Sequence, residues 1–529
     1  MVFFSWVLAL LAGLAQAAAM AFPLTLERVN SGQPLWLLQL ISLGLLAHLL
    51  LKAPSARRAA FLGWLFATAW LAGSFWWLFI SMHTYGGLAA PLAALAVLAL
   101  AIGLGSYYAV ACGVFWRLRS RWKRATPLCA TLLFAALWLL AELARGAWFT
   151  GLPWGAGGYA HVDGPFNVLA RWIGVYGISA VVAALAMLLN WLPERYDYAD
   201  RSVLLRWAAV VVLGFAWLGL NAQRGAALRE AEILPSLSLT LLQGNIPQNE
   251  KFEHGSGVPQ ALDWYGEQVR AATADLVIAP ETAIPLLPQQ LDPDYLASIS
   301  QRYTHGAQAL LIGIPLGDSD AGYTNSVMGF VSGQQHPYRY DKHHLVPFGE
   351  FIPPLFRWFT DLMHIPLGDF ARGGLGQPPL HWQGQRIAPH ICYEDLFGEE
   401  MAAHFQDADN APTLLVNLSN IGWFGNSIAI DQHLNISRMR ALEFERPLVR
   451  ATNTGATAVI DAQGRVTHQL AAHTRGVLHA EVQGRAGPVT PYAWWTARWG
   501  LWPLWLLALC IVLWCAVCGQ SAATRANTG

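Results

Sequence analysis

The chain opens as a series of long apolar runs separated by short polar breaks, up to about residue 225. It then shifts to short apolar runs that end in polar residues or glycine, and closes on one more long apolar run. The long runs lie at 3–22, 35–51, 60–81, 89–115, 128–146, 168–192, 204–221 and 498–518. Each approaches the ~20 residues a helix needs to cross the hydrocarbon core. The pattern predicts seven membrane-spanning helices within 1–225, a polar domain over 236–484, and an eighth span over 496–519.

Within the polar domain the period changes. "LSLTLLQGN", "DLVIAPET" (275–282), "ALLIGIPL" (309–316), "TNSVMGFV" (324–331), "RIAPHICYE" (386–394), "TLLVNLSN" (413–420), "LVRATNTG" (448–455) and "ATAVIDAQG" (456–464) read as strands. Helical stretches at 257–273, 292–304, 396–406 and 427–445 fall between several of them. This alternation predicts a layered α/β domain with well-buried sheets. "DAQG" is a hairpin turn.

Composition agrees with the pattern. Of 529 residues, 55% are hydrophobic and only 12% charged, about half the charge of a soluble protein. The net charge is zero, so no overall field favours nucleic acid. The first apolar run ends in "LAQAAAMA", which offers small residues for signal cleavage, but no Lys or Arg precedes it. It reads as a retained helix. Basic residues set the orientation. Lys52, Arg57 and Arg58 follow span two, Arg117 to Arg124 follow span four, and Arg195, Arg201 and Arg206 follow span six. These loops are expected in the cytoplasm with both termini, and the polar domain in the periplasm of a bacterial inner membrane.

That placement bears on the cysteines. Of six, Cys112, Cys129, Cys510, Cys515 and Cys518 lie in apolar runs, and Cys392 alone lies in the polar domain. The periplasm promotes disulfides, so an unpaired thiol there is either a small buried side chain or a functional one. Cys392 closes a strand, as do Glu281 and the Asn417, Ser419, Asn420 cluster. Ligands of α/β sheets bind beyond such strand ends. A helix beginning at 396 would lower the thiol's pKa. Glu281 is a candidate base, with His343 and His344 as competitors, and Lys342 a candidate cation for an oxyanion. Spacing alone assigns none of them.

Glu281, Lys342 and Cys392 occur in the contexts "APE", "YDKHHLVPFGE" and "ICYED". This resembles the nitrilase superfamily, with its Glu–Lys–Cys triad and α-β-β-α sandwich. With the apolar spans, and with "QGNIPQ", "PFGEF", "CYED", "GWFG", "RMRALE", "RATNTG" and "GLPW", the chain resembles the apolipoprotein N-acyltransferase family over nearly its whole length. Phe252 stands where that family has Trp, Ile421 where it has an acid, and Leu152 where it has Phe.

The resemblance implies a multi-pass membrane domain of about eight helices carrying an inserted nitrilase-like domain. It implies acyl transfer from a membrane phospholipid, phosphatidylethanolamine-like, through a thioester on Cys392. The acceptor is the α-amino group of a diacylglyceryl-cysteine in an apolipoprotein. Glu281 would be the base, Lys342 the oxyanion partner, and Glu350, Tyr393, Glu394, Trp154, Phe252 and Trp423 supporting residues. No metal or cofactor is expected. Aromatic residues at Trp148, Phe149 and Trp154 would form an apolar mouth that excludes water. Glu142 and Arg145 are expected at the membrane interface, and Glu443 with Arg446 as a structural ion pair. The alternatives are a membrane-anchored amidase acting on a small amide, a catalytically dead binding module, or a transporter.

Overall fold

A computed structural model of the protein describes residues 2–122, 127–190, 214, 217, 219–226, 232–320, 322–334, 336–352 and 370–524. Most of the expected seventh span, 204–221, lies outside these residues. The chain divides into two units: residues 1–76, 94–230 and 499–529, and residues 77–93 with 231–498.

The first unit is helical. Val2–Met20, Trp36–Leu51, Ala56–Phe75, Ala90–Arg119, Pro127–Ala147, Ala170–Leu189 and Trp502–Thr524 form its principal described helices. Four described helices are long and apolar enough to cross a membrane, or up to six if two bent pairs count as one span each. Trp36–Leu51 has 16 residues, fewer than a straight crossing needs.

Two predicted spans are interrupted. The run 60–81 stops as a helix at Phe75, and the helical turns that follow bend by 59°. The last run starts at Trp502 rather than 498, after an 89° bend. Gly500 sits at that bend with φ +53, a conformation that suits glycine.

Glu142 and Arg145 are both fully buried within the helical unit. Arg145 Nη1 donates to the carbonyls of Leu152 (2.5 Å) and Trp154 (2.7 Å), and Nε to Tyr108 (3.0 Å). Glu142 accepts from Gly157 N–H (3.0 Å). The pair thus holds the irregular 151–157 segment by its backbone, satisfying polar groups that have no water to turn to.

The second unit is built on two six-stranded sheets. In the first, β1 (Ile233–Gln243), β2 (Leu276–Ile278) and β3 (Ala309–Asp318) run parallel. β4 (Gly322–Phe330) and β5 (Tyr338–Asp341) add antiparallel on one side. The second sheet contains β6 (Leu380–Trp382), β7 (Gln385–Ile391), β8 (Leu414–Ser419), β9 (Leu448–Thr452), β10 (Ala458–Ile460) and β11 (Val466–Gln469). Its centre, β7–β8–β9, is again parallel. β12 (Gly476–Arg485) returns to pair with β1.

The sheets face each other across a core of Leu239, Leu241, Ile278, Leu311, Ile387, Ile391, Val416, Leu418 and Val449. The opposite side of the first sheet is covered by the helices Gly257–Ala271 and Pro293–His305 through Ala261, Tyr265, Ile299 and Tyr303. Both faces of the central strands are therefore buried, which is why they read as continuous apolar runs and not as alternating ones. Arg450 of β9 donates to the His433 carbonyl (2.8 Å) in the helix Ala429–Phe444, which covers the second sheet.

Two local expectations fail. The predicted helix 396–406 is a 3₁₀ turn over Cys392–Leu396, one α-turn over Gly398–Met401 and a further 3₁₀ turn. Glu443 pairs with Arg440 (3.0 Å) within its helix, not with Arg446. Arg446 lies past the helix end and donates to the Pro412 and Gly487 carbonyls.

Candidate active site

The three triad candidates come from three strand ends. Glu281 follows β2, Lys342 follows β5, and Cys392 follows β7. Lys342 is fully buried, and its ammonium lies 2.9 Å from Glu350 and 3.4 Å from Glu281. Asn325 Nδ2 donates to both carboxylates at 2.7 Å. The second Glu281 oxygen accepts from the backbone N–H of Asn420, at the end of β8, at 2.7 Å.

The close fit around Glu281 depends on Gly313 of β3. A Cβ there would lie 2.4 Å from the Pro280 carbonyl and 2.7 Å from Glu281 Cα. Burial alone would drive Lys342 toward the neutral amine, but Glu350 and Glu281 together raise its pKa.

Cys392 is partly buried and has φ +52, a sparsely populated conformation for a side-chain-bearing residue. This strained turn sets the thiol at the strand end. Its pKa is pushed up to about 12, first by burial and then by the Glu281 carboxylate. Lys342, Ser419 and the Asn420 amide pull the other way. The expected helix is broken into short 3₁₀ and α turns, and the resting group is a thiol that needs a base.

Two buried networks fix that turn. Glu394 accepts from Ile391 N–H (2.6 Å), His343 N–H (2.7 Å), His344 N–H (3.2 Å) and the Tyr340 hydroxyl (3.0 Å). It thereby ties the residue before Cys392 to the residues after Lys342. Asp395 accepts from His390 and from the Ser437 hydroxyl, and Arg450 also donates to Ser437. His433 Nε2 and Asn417 Nδ2 lie 3.2 and 3.3 Å from the Cys392 carbonyl. Against the pull of burial, His390, His433 and Arg450 hold the Asp395 carboxyl well below the usual carboxylate range.

The other candidates are distributed. Glu350 belongs to the cluster, with its second oxygen on Val346 N–H (2.8 Å). Tyr393 is buried, edge-on to Phe397 at 5.3 Å. Phe252 is exposed, with its ring 6.0 Å from Lys251 Nζ. Trp423 is edge-on to Tyr85 at 6.0 Å. Beside it, Phe424 packs on Trp77 at 4.1 Å, and Trp77 donates to Gln432 (3.0 Å).

Trp154 lies in the helical unit and is buried there, while Trp148 and Phe149 are exposed. It is therefore not a side chain of an open aromatic mouth. His343 Nδ1 meets the Gly373 carbonyl, and His344 meets Glu400 and stacks on Phe397, so both imidazoles are turned to other partners.

Sequence reasoning did not single out Lys251, Asn325, His433 or Arg450. Lys251 stands next to Phe252, so the "GNIPQNEKF" context already pointed to its neighbourhood. Three buried atoms around the cluster, Gln248 Nε2, Asn325 Oδ1 and Asn417 Oδ1, make no hydrogen bond among the described residues. Unsatisfied groups converging on one place are expected where a substrate binds. Among the described residues no cluster suits a metal ion.

Comparison with known proteins follows the same division of the chain. Residues 12–188 match the apolipoprotein N-acyltransferase N-terminal domain, and residues 238–490 match the carbon-nitrogen hydrolase family. An apolipoprotein N-acyltransferase of Verminephrobacter eiseniae is 59% identical over 515 residues, 93% of this chain and 92% of that protein. One of Ralstonia nicotianae is 44% identical, over 86% of this chain and 85% of its own length. Among solved structures, a carbon-nitrogen hydrolase of Helicobacter pylori aligns with 51% of this chain and 94% of its own, at 16% identity and a TM-score of 0.33. With relatives this similar along nearly all of its length, the chain belongs to the apolipoprotein N-acyltransferase family.

Proposed function

We propose that this enzyme moves an acyl chain from a membrane phospholipid to the N-terminal α-amino group of a diacylglyceryl-cysteine in an apolipoprotein, by way of a thioester on Cys392. The observation that carries the reading is the buried Glu281–Lys342–Glu350 cluster beside a single strained cysteine.

Glu281 takes the Cys392 proton, and the thiolate attacks the ester carbonyl. The Lys342 ammonium, with a backbone N–H, stabilises the tetrahedral oxyanion. The carbon–oxygen bond breaks, the leaving alkoxide takes the proton from Glu281, and a lysophospholipid departs. The acceptor amine then attacks the thioester and gives a proton to Glu281. The carbon–sulfur bond breaks, and the thiolate recovers the proton. Each group ends in its starting state.

In this reading the donor is phosphatidylethanolamine-like. The chain spans a bacterial inner membrane eight times, with residues 1–225 and 496–519 in the bilayer, 236–484 in the periplasm and both termini in the cytoplasm. Supporting it are the loop distribution of Lys and Arg and the apolar runs of the sequence.

The test is to incubate the purified protein with phospholipid and a diacylated lipopeptide. A hydroxylamine-sensitive thioester on Cys392 and an N-acylated peptide are expected, and both vanish in Cys392→Ala. Release of free fatty acid alone would replace this reading with a hydrolase. No adduct would leave a binding module.

A further inference from the structure

Lys251 is 1% exposed, a rare setting for a lysine without a carboxylate hydrogen bond. Its ammonium donates instead to the backbone carbonyl of Glu281 (3.0 Å) and to the Thr282 hydroxyl (3.3 Å). Thr282 sits at φ +47, so these two bonds clasp the strained turn that aims Glu281 into the site. The charged and titratable groups acting on Lys251 are Glu281, after β2, and Cys392, after β7. Lys342 stands one hydrogen bond beyond Glu281, and Glu350 one beyond Lys342.

The charge balance of this group is informative. Glu281, Glu350 and Glu394 all act on Lys342, which offsets only one of the three carboxylates. Lys251 adds a second positive charge next to Glu281 and Cys392. When the Cys392 proton moves to Glu281, the negative charge moves to sulfur without changing the total. Without Lys251 the thiolate would form in a buried site with a larger excess of negative charge, which is strongly unfavourable.

We propose that Lys251 is a positioning residue for acyl transfer: its buried ammonium pins the Glu281 turn and supplies the positive charge that lets Cys392 ionise. This rests on Cys392 as the nucleophile, and deepens that reading by adding a second lysine to the centre. Burial lowers the Lys251 pKa to about 8, while Glu281 and Cys392 oppose the shift. The positive charge is thus present at neutral pH and withdrawn as pH rises through that value.

The experiment compares the full-length protein in detergent with Lys251→Gln and Lys251→Met. Alkylation of Cys392 by the neutral reagent iodoacetamide is followed against pH, alongside thioester formation from phospholipid. A cation near a thiol favours the thiolate. Removing it should slow alkylation about tenfold at pH 7, and the difference should vanish as pH rises past about 8, where the unaltered protein also loses the charge. Thioester formation should fall by at least about tenfold, following the lost thiolate. Gln keeps a hydrogen-bond donor and drops the charge, so it separates electrostatics from the clasp and stands alone if Met does not fold. An unchanged alkylation profile in a folded Lys251→Gln protein overturns the proposal. Failure of the unaltered enzyme to form a thioester overturns the Cys392 reading instead.

Discussion

Glu394→Gln is the sharpest perturbation of the site, because it changes charge and donor pattern with almost no change in shape. The carboxylate accepts from three backbone N–H groups and one hydroxyl. Burial pushes its pKa up, while the Ile391 amide, Lys342 and the His343 amide oppose the shift. The three backbone N–H donors favour the ionised form, against the pull of burial.

A glutamine can keep its oxygen toward His343 and His344, but its NH₂ then confronts the Ile391 N–H across a 2.6 Å separation. One charge-assisted bond is lost, worth about 1.5–3 kcal/mol, and one buried N–H is left unpaired, costing about 1–3 kcal/mol more. The expected destabilisation is about 3–5 kcal/mol. It falls on the turn that carries Cys392 at φ +52. Thermal unfolding in detergent should show a clear drop in midpoint. At temperatures where the variant remains folded, thioester formation should still fall by about 100-fold, since a displacement near 1 Å misaligns nucleophile and oxyanion donor. A variant with unchanged unfolding and unchanged acylation would refute the claim that Glu394 couples the Cys392 turn to the Lys342 loop.

Other outcomes follow from the same geometry. Glu281→Gln should abolish acyl transfer yet speed iodoacetamide alkylation of Cys392 about tenfold or more, because the carboxylate that raises the thiol pKa is gone; slower alkylation would contradict the electrostatic account. The depressed Asp395 carboxyl contributes stability above about pH 4 and loses it as pH falls through its folded pKa, so the advantage of the unaltered protein over Asp395→Asn should shrink in acid. Denaturation series at several pH values measure this, and a gap that widens in acid would reverse the sign. Arg145→Met strands the Leu152 and Trp154 carbonyls inside the helical unit, and should lower stability by about 2–4 kcal/mol. A melting midpoint in detergent identical to that of the unaltered protein would show that those bonds contribute nothing.

What the sequence disclosed, and what it withheld, divides along the range of the interaction involved. β2, β3, β8 and β9 were visible because both faces of a central parallel strand are buried, which leaves a continuous apolar run. Cys392, Glu281 and Lys342 were legible from short contexts, because each is set by a strand end a few residues long. β6 and β12 were missed. β6 has three residues, and β12 carries polar side chains on a partly exposed edge, so neither has a strong apolar signature.

The helix expected at 396–406 failed for a local reason with a long-range origin. Its polar and apolar spacing suits a helix, but Glu394 and Asp395 are drawn into bonds with β5, β7 and the helix Ala429–Phe444, and Cys392 is held at positive φ. Those tertiary bonds outweigh a helical propensity worth only tenths of a kcal/mol per residue. The same reversal explains the thiol. A helix N-terminus would have lowered its pKa, whereas burial beside Glu281 raises it. In the proposed mechanism Cys392 is therefore activated by Glu281 when substrate is in place, and not by a permanent local field. A protonated resting thiol also limits unwanted disulfide exchange, because only the thiolate attacks.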